Sequence, residues 1–273
     1  MKKITSQDNK IMKLYQQLEN KKYRDKYGKY LIEGPNVIEE ALQNRVLPES
    51  LIVSESYWER SELKQLCNQY GKLKNSNPEE SLFLVEDKLF LKLMQTEHSQ
   101  GIIGIVQKRE YGEEEFFHLR KEGSGNFLIL DRLQDPGNVG TIIRTADAAG
   151  YEGILVLKGT VDLFSPKVVR ACTGSLFRMP LFFVDTPIEA VELLAKYGKK
   201  VVSTGFETDT YYYDIDLTSN IGLVIGNEGN GICQSLLEQS NEVVKIPMSG
   251  SVESLNAAVA AAILMYESVR TGK

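Results

Sequence analysis

At 273 residues, with 42% hydrophobic and 25% charged side chains, the chain has room for one large domain or two ordinary ones and is composed like a soluble globular protein. No apolar run approaches the roughly 20 residues that span a bilayer, and the opening MKKITSQDNK has no apolar stretch behind its lysines, so neither a membrane segment nor a secretory signal is expected. The net charge of −5 conceals an asymmetry, because residues 1–30 hold nine Lys or Arg against three Asp or Glu, and the rest of the chain is acidic.

Ile11, Leu14, Tyr15 and Leu18 recur at spacings that suit one face of a helix over residues 6–26. Lys10, Lys13, Lys21, Lys22 and Arg24 lie among or just after them. Such a cluster is either a solvated helix surface or a grip on a polyanion, and composition leaves both open. YLIEG (30–34) predicts a strand ending at Gly34, and Pro35 suits the start of a helix through NVIEEAL. Strands are expected at Leu51–Ser54, Leu82–Leu84 and Ile102–Val106, with helices at Glu59–Tyr70 and Val85–Leu93 between them. The alternation predicts a small α/β domain over residues 1–107. Residues 108–124, charged and bounded by Gly125, are expected to connect it to a second domain.

That second domain, residues 125–273, opens on the apolar strand FLILD (127–131). A turn, RLQDPGNVG, leads into the helix TIIRTADAAG, closed by Gly150. GILVLK (153–158), LFFVD (181–185) and KVVSTG (200–205) continue as strands, with helices from Pro166 to Cys172 and from Pro187 to Tyr197. Ile221–Ile225 and Val243–Ile246 complete the set, and an Ala-rich helix comes after them. Continuous apolar strands separated by helices indicate a parallel sheet covered on both faces.

The turns after these strands carry the chemistry. Asn138 stands at a strand-to-helix turn, where it can cap the helix or meet a ligand. Arg144 sits about one turn into an apolar helix; it either faces solvent or points at an anion. GNEGNG (226–231) is not the dinucleotide fingerprint, since its glycines run GxxGxG and it lies late in the domain. Glu228 would repel a pyrophosphate and suits hydrogen-bond donors instead. SGSVESLN places Ser251, Glu253, Ser254 and Asn256 at a helix start, more polar groups than capping requires. The cysteines, Cys67, Cys172 and Cys233, show no disulfide or metal spacing, and His98 and His118 belong to no metal-ligand motif, so no metal site is expected.

Taken together, DPGNVGTIIRTADAAG, LVIGNEGNGI and IPMSGSVESLNAAVAAAI resemble, in order and spacing, the three motifs of the SpoU (TrmH-type) branch of the SPOUT RNA methyltransferases. SPKVVRACTGSLFRMP (165–180) matches the family's intermediate stretch, and YRDKYGKYLIEGPNVIEEAL (23–42) is similar to the RNA substrate-binding domain that often precedes the catalytic one. One departure is Ala257-Ala258 after SLN, where Val-Ser is common in the family.

The resemblance implies an α/β catalytic domain with a C-terminal trefoil knot, a homodimer, and transfer of a methyl group from S-adenosylmethionine to a ribose 2′-hydroxyl of RNA. Ribosomal RNA is preferred over transfer RNA because of the separate N-terminal domain. A cytoplasmic protein without metal or membrane partners is expected. Carried over by motif, the cofactor lies among Thr204, Gly205, Ile225, Gly226, Asn227, Gly229, Ile246, Met248, Ser254, Leu255 and Asn256. Asn138, Arg144, Glu228, Ser254 and Asn256 surround the reacting groups. Arg144 is expected to clamp a neighbouring phosphate, and Glu228 and Asn256 to hold loops and orient the ribose. Lys21, Lys22 and Arg24 are expected to meet the RNA backbone. The rivals are a nucleotide-dependent oxidoreductase, against which the misplaced glycines argue, and a non-catalytic RNA-binding protein on the same scaffold.

Overall fold

The computed structural model describes residues 1–74, 80–93, 100–119, 125–252 and 254–271. The chain divides into two units, one built from Met1–Arg109 with Phe164–Phe177, the other from Glu110–Leu163 with the described residues from Arg178 onward.

The first unit carries a mixed sheet. Its strands are β1 (Lys2–Ile4), β2 (Lys29–Glu33), β3 (Ser50–Ser54), β4 (Leu82–Val85) and β5 (Ile102–Gln107), in the order β1-β4-β3-β5-β2. β5 runs antiparallel to β2 and β3, whereas β4 is parallel to β1 and β3. The helices are α1 (Lys10–Leu18), α2 (Lys21–Tyr27), α3 (Pro35–Gln43), α4 (Glu55–Trp58), α5 (Ser61–Lys74) and α6 (Asp87–Phe90). The single helix expected over 6–26 is two. Asn20 adopts an extended backbone and its side chain accepts the Lys22 N–H at 2.9 Å, starting α2 afresh. Met12, Tyr15 and Leu18 turn one face of α1 into the core against Leu31, Ile52 and Phe83.

The second unit begins with α7 (Glu113–His118), inside the stretch expected to be a connection. Phe116 and Phe117 of that helix are buried in the second unit's core beside Phe127. Next are β6 (Phe127–Leu130), α8 (Pro136–Ala148) and β7 (Gly153–Leu157). The intervening Phe164–Phe177, with α9 (Pro166–Cys172), counts with the first unit. Then come β8 (Leu181–Val184), α10 (Pro187–Lys196), β9 (Lys200–Thr204), β10 (Ile221–Ile225), α11 (Gln234–Gln239), β11 (Glu242–Val244) and α12 (Ala257–Thr271).

These six strands form one parallel sheet in the order β11-β9-β10-β6-β7-β8. Every residue of β6, β7 and β10 is buried, which is why they read as unbroken apolar runs. Register brings the strand ends level: Val244 pairs with Thr204, and Ile225 with Leu130. The turns after β6, β9, β10 and β11 therefore leave from one edge. The last strand is shorter than expected, because ladder pairing stops at Val244 and Lys245 makes only an isolated bridge to Tyr211. No helix among the described residues is long and apolar enough to cross a membrane.

Candidate cofactor and catalytic site

The carboxyl edge of a parallel sheet is where α/β folds hold ligands. The polar groups there are bound chiefly to one another. Glu228, in the turn after β10, takes three donors: Gln134 N–H at 3.0 Å, Asp135 N–H at 3.0 Å and the Asn138 amide at 3.1 Å. Asn138 in turn accepts the Asn256 amide at 2.9 Å. Asn256 Oδ1 accepts the N–H groups of Ala258 and Val259, so it caps α12. One chain of hydrogen bonds thus joins the β10 turn, the start of α8 and the start of α12. Asn138 is not the cap of α8; that role falls to Asp135, which accepts the Asn138 N–H at 2.8 Å.

Burial pushes the Glu228 carboxyl up, but the Gln134 N–H and the Asn138 amide outweigh it, with further backbone help, and hold it below the usual carboxylate range. A carboxylate so placed is a tie for loops. Arg144 is exposed, on the solvent stripe of α8 with Gly137, Thr141 and Ala148. No side-chain hydrogen bond or ion pair links it to another described residue, so the structure does not join its guanidinium to the Glu228–Asn138–Asn256 network. Ser254 is exposed and likewise stands outside that network. Glu253 lies outside the described residues.

The residues expected around the cofactor fall on four neighbouring turns. Thr204 ends β9 and Gly205 follows it, with Gly205 N–H spent on Val244 O at 3.0 Å. Ile225 is buried at the end of β10. Gly226 allows no side chain, for a Cβ would lie 2.6 Å from both the Gly231 carbonyl carbon and the Ile232 nitrogen. The Asn227 side chain is held at both ends: its amide donates to Arg132 O at 2.8 Å and its oxygen accepts Gly229 N–H and Asn230 N–H. At Gly229 a Cβ would meet only Asn227 Oδ1, at 3.7 Å, leaving open space. Ile246, Met248 and Leu255 are half-buried. Their N–H groups have no partner among the described residues. Half-buried apolar side chains with free backbone donors fit an adenine ring, and this turn set fits S-adenosylmethionine.

A model of the SpoU rRNA Methylase family matches residues 125–266, and a model of the MRM3-like substrate binding domain matches residues 9–104. The chain is 35% identical over 266 residues to the 23S rRNA (guanosine(2553)-2′-O)-methyltransferase RlmP of Bacillus subtilis, covering 97% of this chain and 98% of the relative. The chain belongs to the SpoU rRNA methylase family. The crystal structure of an S-adenosylmethionine-bound rRNA methyltransferase from Sinorhizobium meliloti superposes with a TM-score of 0.85 at 30% identity, over 99% of this chain and 98% of that one. That of the SpoU methyltransferase AviRb from Streptomyces viridochromogenes, also with the cofactor, gives 0.83 at 28% identity over 96% and 98%.

Two residues of this SpoU chain escaped the sequence reading. Asp131, fully buried at the end of β6, accepts Cys233 N–H at 2.7 Å and both Nε and Nη2 of Arg132, at 2.6 and 3.0 Å. Arg132 holds a left-handed backbone, φ 56°, which aims its carbonyl at the Asn227 and Gln134 amides. The pair fastens both ends of the 227–233 turn. An Asp that closes an apolar strand, FLILD, was the available signal.

In the first unit, Arg24 is a correction. It is only 4% exposed, and its guanidinium donates to Leu18 O and Glu19 O at 2.8 and 2.7 Å, closing the end of α1. It is not presented to a phosphate. Lys21 pairs with Asp25 at 2.5 Å, and Lys22 is exposed without a counter-ion among the described residues. His118 is exposed, with Nδ1 2.9 Å from Glu114 O, and His98 lies outside the described residues.

Proposed function

We propose that this SpoU chain transfers the methyl group of S-adenosylmethionine to a ribose 2′-hydroxyl of ribosomal RNA, and that its target is a guanosine of the large-subunit RNA, as named for the Bacillus relative. The observation that carries the reading is the Glu228–Asn138–Asn256 chain, which ties the three motif turns together beside the free donors of Ile246, Met248 and Leu255. The near end-to-end match to the Bacillus relative supports ribosomal RNA, since it includes the unit that carries the substrate-binding match.

Thr204, Gly205, Ile225, Gly226, Asn227, Gly229, Ile246, Met248, Ser254, Leu255 and Asn256 would hold the cofactor, which supplies an electrophilic methyl group when bound. The residues at this edge then have to place the 2′-oxygen in line with that group, a positioning effect worth up to about 7–11 kcal/mol. Glu228 is a poor base here, because its oxygens already accept three N–H groups. The Arg144 guanidinium offers donors and no acceptor, so it is no base either. Its exposed fork is suited to an RNA phosphate beside the target ribose, where it would also polarise the 2′-oxygen. Asn256 and Glu228 keep the turns in register, and Asn138 links them.

A homodimer belongs to the same proposal. Val259, Ile263 and Tyr266 repeat along one side of α12; Val259 is 48% and Tyr266 49% exposed, and apolar stripes of this kind are commonly covered by a second copy. The knotted C-terminal segment and a cytoplasmic location are also part of it. Calorimetry with S-adenosylmethionine tests the reading. Binding in the micromolar range that weakens about tenfold in Asn256→Ala is expected; no binding by the wild-type chain would overturn it.

A further inference from the structure

The polar residues of α1 repeat in a way the core does not require. Lys13, Gln16, Gln17 and Asn20 fall at i, i+3, i+4 and i+7, one stripe along the helix and its end. With Tyr23 of α2 they line an open groove of about 370 Å³, at the lower end of the size range of small-ligand sites. Tyr23 is half-buried and stacks on Tyr27, with ring centroids 6.1 Å apart and planes 16° from parallel. Lys22 lies 6.0 Å from the Tyr23 ring centroid and Lys26 5.4 Å from that of Tyr27.

The donors of the groove are only partly used. Gln17 Oε1 accepts the Tyr27 hydroxyl at 3.1 Å and Asn20 Oδ1 accepts Lys22 N–H, which leaves both NH₂ groups over. The Gln16 side chain has no hydrogen-bond partner among the described residues. Charge is also left over. Lys13 pairs with Asp8, and Lys21 and Lys108 share Asp25. Lys10, Lys22 and Lys26 are exposed with no counter-ion among the described residues.

We propose that the α1–α2 groove binds one unpaired RNA nucleotide, with its base against Tyr23, its edge read by the Gln16, Gln17 and Asn20 amides, and its flanking phosphates met by Lys10, Lys22 and Lys26. An aromatic face, carboxamides and unpaired cations are the combination that suits single-stranded RNA. A double helix would meet only the lysines, because its bases are stacked and paired. The proposal deepens the RNA-methyltransferase reading and moves the contact from Lys21 and Arg24 to the neighbouring groove.

The test is fluorescence anisotropy of the full chain with a short labelled single-stranded RNA and with the same sequence as a duplex, over a range of salt. Tyr23→Ala is expected to weaken single-strand binding about tenfold, the scale of one base–aromatic stack, with an unchanged salt slope. Tyr23→Phe is expected to restore it. Gln16→Ala, which breaks no side-chain hydrogen bond among the described residues, is expected to weaken single-strand binding and leave duplex binding unchanged. Lys22→Ala with Lys26→Ala is expected to lower the salt slope by about two. Equal binding of both RNAs, or wild-type affinity in folded Tyr23→Ala and Gln16→Ala, would overturn the proposal. Calorimetry with S-adenosylmethionine on the same proteins separates the two readings: failure of the groove leaves cofactor binding intact, whereas a wild-type chain that binds RNA but not the cofactor defeats the enzyme reading alone.

Discussion

Glu228 holds more of the site than its exposed position suggests. Its carboxyl is held below the ordinary range by N–H donors of the α8 turn, so its contribution is present above the unfolded carboxyl value and is lost as pH falls through the lower folded one. Cofactor affinity should therefore be flat from about pH 5 upward, as far as Glu228 is concerned, and fall only in stronger acid. Calorimetry across that range checks it; a Glu228-dependent loss near neutrality would contradict it. Glu228→Gln turns an NH₂ group toward the N–H groups of Gln134 or Asp135, and a roughly tenfold weaker cofactor affinity is expected. At Arg144 the expectation concerns rate. Lys cannot present two donors in the geometry of a guanidinium, so Arg144→Lys should lower kcat on RNA with cofactor affinity unchanged; near-wild-type turnover would count against a forked clamp.

Among the elements, the turn after β10 is the most constrained. A side chain at Gly226 would collide with the backbone of its own turn at Gly231 and Ile232, so Gly226→Val removes the turn as well as any ligand space. The expected outcome is lost cofactor binding together with faster amide exchange across 226–233; slow exchange with binding lost would place the clash on the ligand alone. Asn138 and Asn256 are expected to couple. In a double-mutant cycle of Asn138→Ala and Asn256→Ala on cofactor affinity, an interaction energy of about 0.5–3 kcal/mol is expected, and strict additivity would break the proposed chain. Much of this was legible in sequence. β6, β7 and β10 are apolar on both faces, which only a covered parallel sheet requires, and the glycines and asparagines stand where the turns need them. The break between α1 and α2 was not legible, because Asn20 reads equally as a helix surface residue until its cap is seen. Nor was the role of Arg24: a cation in a lysine-rich stretch looks solvated, and its burial depends on the carbonyls that α1 leaves at its end. The left-handed turn at Arg132 carries no glycine or asparagine to announce it.

On the scale of the whole molecule, sequence order and structural membership part company at Phe164–Phe177, which belongs with the first unit although it lies between β7 and β8. Its Tyr30–Phe164 ring contact, at 5.0 Å, is a tertiary fact that no local pattern encodes. Deleting residues 1–107 would strip that segment of its packing, so point variants in the full chain are the cleaner way to separate RNA binding from cofactor binding. The exposed stripe of α12 carries the expectation for assembly: light scattering at micromolar concentration should give twice the mass of one chain, and Tyr266→Glu should shift it toward the monomer. The central claim is methyl transfer to a ribose of ribosomal RNA. It is tested most directly by incubating the purified chain with S-adenosylmethionine and either unmodified 23S ribosomal RNA or unmodified transfer RNA, then mapping ribose methylation by mass spectrometry. One new 2′-O-methylguanosine, absent without the cofactor and lost in Asn256→Ala, is the predicted result; a methyl group on a base, methylation confined to transfer RNA, or no transfer at all would contradict it.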